Sequence, residues 1–256
     1  MALSIRKLLI SQPQPTSERS PYFDIAEKYG IEVDFRPFIK VEPLAAREFR
    51  QQRISILDYS AVIFTARTAI DHFFHLSEEL RISIPETMKY FCMTETIAVY
   101  LQKYIIYRKR KIFYSQTGKP EDLVAVIGKH AKEKYLLPVS DVYKDNLVRL
   151  LEIKKIHCVP AVMYRTVSND FSKEEKFDYD MLVFFSPSGI SSLLKNFPDF
   201  TQDDIRIGCF GSSTAKAAVD AGLRLDVKAP TPEAPSMIAA LEQYLKKESV
   251  EKKNGR

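Results

Sequence analysis

Two short polar segments of the 256-residue chain combine residue types that could bind an anion. Residues 186–189 read Ser-Pro-Ser-Gly and residues 211–214 read Gly-Ser-Ser-Thr, and each follows a predicted strand and opens a predicted helix. A helix start carries unpaired backbone N–H groups and the positive end of the helix dipole, so it favours carboxylates or phosphates. Helix capping alone accounts for either segment taken singly. Two equivalent segments favour a surface that binds an anionic ligand.

Tyr164 offers a second kind of chemistry. It lies in a predicted strand, residues 161–166, near the middle of the chain. A phenol can donate a proton or a hydrogen bond to a leaving hydroxyl. A structural tyrosine with a buried ring is the alternative interpretation.

The sequence lacks the motifs that mark several other kinds of active site. The chain has eight glycines and contains neither GxGxxG nor GxxxxGK(S/T), which argues against the common nucleotide sites. A GxSxG elbow, an HExxH motif and a CxxC spacing are also absent, so we expect no metal site and no hydrolytic triad of that type.

The weak positive charge is compatible with a small anionic substrate and does not indicate a nucleic-acid partner. The net charge of +5 comes from 38 basic and 33 acidic residues, and an excess this small does not indicate nucleic-acid binding. No segment reaches the roughly 18 apolar residues that span a membrane, and the N-terminus lacks a secretory pattern. We therefore expect a cytoplasmic protein with no nucleic-acid or membrane partner.

Short apolar runs alternate with amphipathic stretches along almost the whole chain. The runs predict strands at 7–11, 61–66, 90–94, 111–114, 135–139, 181–185 and 205–210. The amphipathic stretches predict helices that include 68–80, 96–104, 121–133, 146–154 and 234–247. This alternation is typical of an α/β fold with parallel sheets, in which ligands bind beyond the carboxyl ends of the strands.

The sequence also contains a weak internal repeat. Residues 61–70 resemble residues 181–190, since each is an apolar strand that runs through a small turn into a helix. Residues 91–98 resemble residues 208–215 in the same way. Two matching pairs at nearly equal separation predict two duplicated lobes, although chance similarity between βα units is the alternative.

These segments together resemble the uroporphyrinogen-III synthase family. The resemblance is best in the C-terminal part, over residues 184–190, 211–218, 221–222, 229–233 and 237–241. Weaker matches are residues 11–13, 29–33, 64–70, 136–138 and 162–166. Each motif is weak by itself, but their order and spacing across residues 5–245 are fairly specific.

The resemblance implies a particular architecture. The family has two flavodoxin-like lobes with parallel sheets, joined by a two-stranded connector, with a cleft between the lobes. On that pattern residues 1–38 and 167–256 form one discontinuous lobe, and residues 43–160 form an inserted lobe. The connectors are then residues 34–41 and 158–166.

The resemblance also implies an activity. The family cyclises hydroxymethylbilane, a linear tetrapyrrole with acetate and propionate side chains, with inversion of the last pyrrole ring and loss of water. It uses no cofactor, and we expect a monomeric lyase. Tyr164 then takes the position that activates the leaving hydroxyl. The candidate binding residues are Ser186, Ser188, Gly189, Ser213 and Thr214, with Thr65, Arg67 and Thr96 in the inserted lobe.

Four departures from the family pattern suggest an alternative. Gln12 stands where arginine is frequent, Ala66 replaces a serine, Thr94 replaces a glycine, and Ser140-Asp141 follows a strand where arginine and glycine are common. A catalytically degenerate, two-lobed tetrapyrrole-binding or regulatory protein would tolerate such changes.

Overall fold

The structure, a computed structural model, describes residues 5–16, 20–172 and 177–254, with the backbone alone for 251–254. The chain divides into two compact units. The first combines the residues up to Lys40 with those from Val167 onward, and the second runs from Val41 to Thr166. The outermost ends of the predicted discontinuous lobe, residues 1–4 and 255–256, lie outside the described residues.

The first unit is built on a five-stranded sheet with the order β11-β10-β9-β1-β2. All four neighbouring pairs are parallel. Its strands are β1 (Lys7–Ile10), β2 (Glu32–Phe35), β9 (Met181–Phe184), β10 (Arg206–Phe210) and β11 (Val227–Ala229), and its helices are α1 (Pro21–Tyr29), α7 (Pro187–Asn196), α8 (Ser212–Asp220) and α9 (Met237–Asn254).

The second unit contains a six-stranded sheet with the order β3-β8-β7-β4-β5-β6. The pairs from β8 to β6 are parallel. Its strands are β3 (Ile39–Pro43), β4 (Ala61–Phe64), β5 (Lys89–Cys92), β6 (Ile112–Tyr114), β7 (Tyr135–Ser140) and β8 (Cys158–Ser168), and its helices are α2 (Ala46–Arg50), α3 (Arg67–Glu79), α4 (Glu95–Tyr100), α5 (Pro120–Gly128) and α6 (Asn146–Ile153). The predicted α/β class with two parallel sheets is confirmed.

Strand burial follows from helices on both faces of each sheet. In β4 every residue is fully buried: Val62 and Phe64 enter one hydrophobic cluster, while Ala61 and Ile63 enter another. The residues of β9 alternate in the same way between two clusters. Parallel strands covered on both sides read as continuous apolar runs, which is why these strands were predicted from sequence.

The two crossings between the units lie in β3 and β8, which are neighbours in the six-stranded sheet. Asp34, which the sequence analysis assigned to a connector, pairs with Leu9 as part of β2. β8 is likewise more than a connector, because residues from Cys158 to Tyr164 pair with β7.

Four boundaries of three predicted helices are wrong. The helix predicted over 121–133 ends at Gly128, and the one predicted over 234–247 runs from Met237 to Asn254. The helix predicted over 96–104 ends at Tyr100 and continues as a 3₁₀ turn over Leu101–Lys103. Pro235 disfavours helical angles at Ala234, and after Tyr100 the chain tightens into a 3₁₀ turn that keeps the apolar Leu101 buried.

Candidate active site

The first turn of interest in the first unit connects β9 to α7. Ser186 is the N-cap, with extended backbone angles (φ −150°, ψ 152°), and its Oγ accepts a hydrogen bond from the Gly189 N–H at 3.2 Å. Pro187 occupies the first helical position, where its missing N–H costs nothing. Ser188 is half-buried and Gly189 is buried.

Glycine at position 189 lets the helix approach the strand closely. A Cβ there would lie 3.2 Å from Cδ1 of Phe184 and 3.6 Å from Oγ of Ser186. A larger residue would therefore displace the Phe184 ring or the cap. Gly189 acts through its backbone, which holds the turn compact.

The second turn of this unit connects β10 to α8. Gly211 precedes the helix with φ 88° and ψ 146°, a conformation that essentially only glycine adopts. Ser212 and Ser213 are exposed, and no side chain caps the helix. Thr214 is 1% exposed and packs inward, so its hydroxyl does not face solvent at this edge.

The two turns lie at adjacent strand ends. β9 and β10 are parallel neighbours, with Phe184 opposite Cys209, so their carboxyl ends meet at one edge of the sheet. The structure therefore brings the predicted residues Ser186, Ser188 and Ser213 to the same edge of the first unit. That edge is where open parallel sheets bind ligands.

The second unit repeats this arrangement. Thr65 and Ala66 follow β4, and Arg67 is the first, exposed residue of α3. On the neighbouring strand, Thr94 caps α4 by accepting a hydrogen bond from the Ile97 N–H at 3.3 Å, and the Thr94 and Thr96 hydroxyl oxygens are 2.9 Å apart.

The backbone of the first turn is nearly the same in both units. Ala66 has φ −150° and ψ 158°, close to the angles of Ser186. Residues 61–70 and 181–190 also share one sequence of buried, half-buried and exposed positions, and so do residues 91–98 and 208–215. These features match the predicted repeat. Ala66, unlike Ser186, has no side chain that can cap its helix.

Because Ser186 caps its helix and Ala66 does not, substitutions at the two positions are expected to have opposite effects on stability. Ser186→Ala removes a cap and is expected to lower the free energy of unfolding by about 1 kcal/mol. Ala66→Ser restores a cap at an equivalent backbone and is expected to raise it by several tenths of a kcal/mol or more. Urea titration of both variants checks this, and a destabilising Ala66→Ser would show that the two turns are not equivalent.

Arg67 lies beside a cluster of polar side chains on α3, at the end of α4 and on the 3₁₀ turn that follows α4. Its guanidinium lies 5.4 Å from the centre of the Tyr100 ring. The Tyr100 hydroxyl donates to Asp71 at 3.0 Å, and Lys103 and Tyr104 donate to the same carboxylate at 2.8 and 2.5 Å. Burial opposes ionisation of Asp71, but these three donors outweigh it and lower its pKa. The sequence analysis missed this cluster.

Tyr164 lies on β8 near the same edge of the six-stranded sheet. Its ring stacks on the His72 ring of α3, with centroids 4.9 Å apart and an interplanar angle of 19°. The residue is 9% exposed, and burial raises the pKa of its phenol. The hydroxyl is therefore a proton donor at neutral pH. No sequence pattern connects His72 with Tyr164.

Asp141 holds the backbone that directly follows Tyr164. A register shift between Val139 and Ser140 places Ser140 opposite Tyr164. The Asp141 N–H donates to the Tyr164 carbonyl at 3.0 Å, and its Oδ1 accepts from the Thr166 N–H at 3.0 Å. The departure from the family pattern at this position thus has a local structural role.

His72 predicts a pH dependence of stability. Burial and the nearby His75 lower its pKa below the ordinary 6.5, against the opposing charge of Asp71. The unfolded chain therefore binds a proton near pH 6.5 that the folded chain binds only at lower pH, so the free energy of unfolding falls as the pH drops through 6.5.

Between pH 7 and 5.5, the free energy of unfolding is expected to fall less in His72→Phe than in the wild type. Denaturant titrations at several pH values measure it. His157→Phe, at an exposed position, is the control and should keep the wild-type dependence. Equal pH slopes in His72→Phe and the wild type would contradict the assignment.

Within residues 5–16, 20–172 and 177–254, no three His, Cys, Asp or Glu side chains converge as a metal site. None of the helices described is long and apolar enough to cross a membrane. Cys92 and Cys209 are buried, as expected of small apolar side chains, and Cys158 is half-buried. Burial raises the pKa of all three thiols to about 12.

Comparison with known proteins finds a matching protein family and two similar solved structures. The model for uroporphyrinogen-III synthase HemD matches residues 21–239. Uroporphyrinogen-III synthetase from Helicobacter pylori 26695 is 18% identical with a TM-score of 0.58, and the alignment covers 94% of this chain and 99% of that one. A triple mutant of uroporphyrinogen III synthase from Thermus thermophilus is 13% identical with a TM-score of 0.50, with 96% and 99% covered. No curated protein matches.

The two solved structures establish likeness of fold alone, because their sequences are so distant. The family model is a stronger finding, since the matched segment takes in most of the chain and includes every candidate residue named above. This protein therefore belongs to the uroporphyrinogen-III synthase HemD family.

Proposed function

We propose that this protein is an active uroporphyrinogen-III synthase. Its substrate is hydroxymethylbilane, and its product is the ring in which the last pyrrole is inverted through a spiro intermediate. The terminal C–O bond breaks and the hydroxyl leaves as water with one added proton. The carbon that lost the hydroxyl bonds to the substituted α-carbon of the last pyrrole, which gives the spiro intermediate. The old bond between that α-carbon and its methylene bridge then breaks, and the bridge bonds to the other α-carbon with loss of a proton, so no redox change occurs.

The observation that carries the proposal is the Tyr164 phenol. A tyrosine phenol is protonated at neutral pH and can donate to a leaving hydroxyl, and burial, which raises the pKa of Tyr164, keeps it in that form. The stacked His72 ring limits the motion of Tyr164, and Asp141 fixes its backbone. We assign Tyr164 the role of assisting departure of the hydroxyl.

The strand-to-helix turns supply a means of binding the substrate's carboxylates. Ser186, Ser188 and Ser213 combine hydroxyls with helix-start N–H groups, which attract carboxylates without a fixed set of cationic side chains. Thr65, Arg67 and Thr96 offer the same chemistry in the second unit. Gly189 and Thr214 contribute through the backbone. Catalysis by positioning requires that such contacts hold a flexible chain in a reactive conformation.

The alternative is a degenerate relative that binds tetrapyrroles without turnover. The absent cap at Ala66 is its structural support. The position of Tyr164 supports the synthase, because its ring is buried and stacked on His72, and this holds the phenol in one orientation, as assistance to a leaving hydroxyl requires.

The two functions are separated by one experiment. Purified protein is mixed with freshly prepared hydroxymethylbilane, and the products are oxidised and resolved into type I and type III isomers. The synthase produces type III in proportion to protein concentration. A protein that only binds would slow formation of the spontaneous type I isomer and yield no type III.

A further inference from the structure

A recess lies at the amino edge of the six-stranded sheet, where β5 and β6 begin. Residues that precede or begin these two strands form it, and it has a volume of about 170 Å³. The candidate active-site residues of this unit lie at the carboxyl ends of the same sheet. The recess is therefore at the opposite edge and is independent of the proposed reaction. Its apolar walls come from Ile84, Pro85, Met88, Tyr90, Ile105, Ile106 and Ile112.

The recess has an exposed apolar rim. Ile106 is 79% exposed, the highest value among the large hydrophobic residues that the structure describes. It follows Ile105, which is half-buried and also lines the recess. Ile106 thus places an apolar side chain in water directly beside an apolar recess, which distinguishes it from the isolated exposed Ile153.

Two cationic residues, Arg108 and Lys111, line the same recess, and the two residues between them in sequence, Lys109 and Arg110, are also cationic. Arg108 pairs with Glu86 at 2.9 Å. Lys109 and Arg110 are exposed, and within the described ranges neither they nor Lys111 takes part in an ion pair. The segment thus carries three positive charges, one of them in the recess wall, that form no ion pair with a carboxylate of the described residues.

The size and charge of the recess fit one class of occupant. A dry cavity of about 150 Å³ holds a benzene-sized group, so this recess can take one aromatic or branched aliphatic side chain. Protein interfaces are commonly anchored by such a side chain in a pocket, with complementary charges around it. A concave recess suits this occupant better than a flat lipid surface, and the Glu86 carboxylate at the rim disfavours polyphosphates.

We propose that this recess docks an acidic segment of a partner protein, anchored by one aromatic or branched aliphatic side chain. The anchor enters between Ile84 and Ile105, and the flanking carboxylates face Lys109 to Lys111. Ile106 covers the anchor from the rim. Because this face is at the far edge of the sheet, docking leaves the proposed catalytic residues free.

The test is selection from a library of random dodecapeptides displayed on phage, with the full chain as bait. The wild type should enrich peptides that carry an aromatic or aliphatic residue flanked by Asp or Glu. The best peptide is then synthesised with a fluorescent label and titrated by anisotropy. Replacing its apolar residue by alanine should weaken binding about tenfold or more.

Matched variants locate the site. Ile106→Asp and the double variant Lys109→Glu, Arg110→Glu should each weaken binding about tenfold or more, the latter with a reduced salt dependence. Ile153→Asp changes an isoleucine that is 75% exposed elsewhere in this unit, and Lys132→Glu, Lys154→Glu reverses two other exposed lysines. Both controls should bind as the wild type does. Circular dichroism checks that every variant is folded.

Three results would overturn the proposal. The first is no enrichment over a parallel selection on Ile106→Asp. The second is a selected peptide that binds all variants equally. The third is that vesicles of phosphatidylglycerol and phosphatidylcholine bind the wild type through Ile106 while no acidic peptide does, which would make the patch a membrane contact instead.

Discussion

Tyr164→Phe is expected to lower the rate of type III ring formation by about 10²-fold, the lower end of what a positioned proton donor contributes. The change removes one hydroxyl and keeps the ring that stacks on His72. The fold should therefore persist, and the free energy of unfolding should change by less than about 1 kcal/mol. Initial rates with freshly prepared hydroxymethylbilane measure the effect.

Tyr135→Phe is the matched control for this prediction. Tyr135 is also a buried tyrosine of the second unit, but its hydroxyl donates to the His130 carbonyl at 2.9 Å, away from the candidate site. Its loss is expected to cost about 1 kcal/mol of stability and to leave the rate unchanged. If Tyr164→Phe turned over at the wild-type rate, Tyr164 would have no part in the reaction.

Gly211→Ala is expected to lower the free energy of unfolding by about 1–3 kcal/mol. Gly211 has φ 88° and ψ 146°, and a side chain there must either strain the backbone or change the turn. Because Gly211 opens α8, a changed turn also redirects the exposed Ser213 and its neighbouring N–H groups. We therefore expect a higher KM for hydroxymethylbilane together with the lost stability.

Gly128→Ala separates this backbone effect from a general effect of adding a methyl group. Gly128 is the last residue of α5, and a Cβ there would meet no atom within 4 Å. Alanine is expected to leave stability unchanged or raise it by up to about 1 kcal/mol. Urea titration compares the two variants, and equal stability of Gly211→Ala and the wild type would contradict the conformational argument.

Sequence predicts those parts of the fold well in which neighbouring residues alone determine the local structure. The run from Ala61 to Phe64 is apolar throughout because both faces of its sheet are covered, and Ser186-Pro187 combines a cap with a residue suited to the first helical position. β2 was missed because its Glu-Val-Asp-Phe sequence is half polar. Its pairing with β1 at the end of the sheet is a tertiary effect.

The candidate site depends more on contacts that are distant in sequence. Nothing local in the sequence links His72 with Tyr164, because α3 and β8 meet only after the sheet has assembled. Asp141 likewise reads as a loop residue until the register shift in β7 places it beside Tyr164. Thr214 shows the opposite error: its segment predicts a capping hydroxyl, but helix phase turns the side chain inward.

The isomer composition of the product tests the proposed function most directly. With the wild-type protein in catalytic amount, we predict that type III predominates and that its fraction rises with protein concentration until the spontaneous reaction is negligible. Recovery of type I alone at every protein concentration, from a folded sample, would contradict the assignment of this chain as an active synthase.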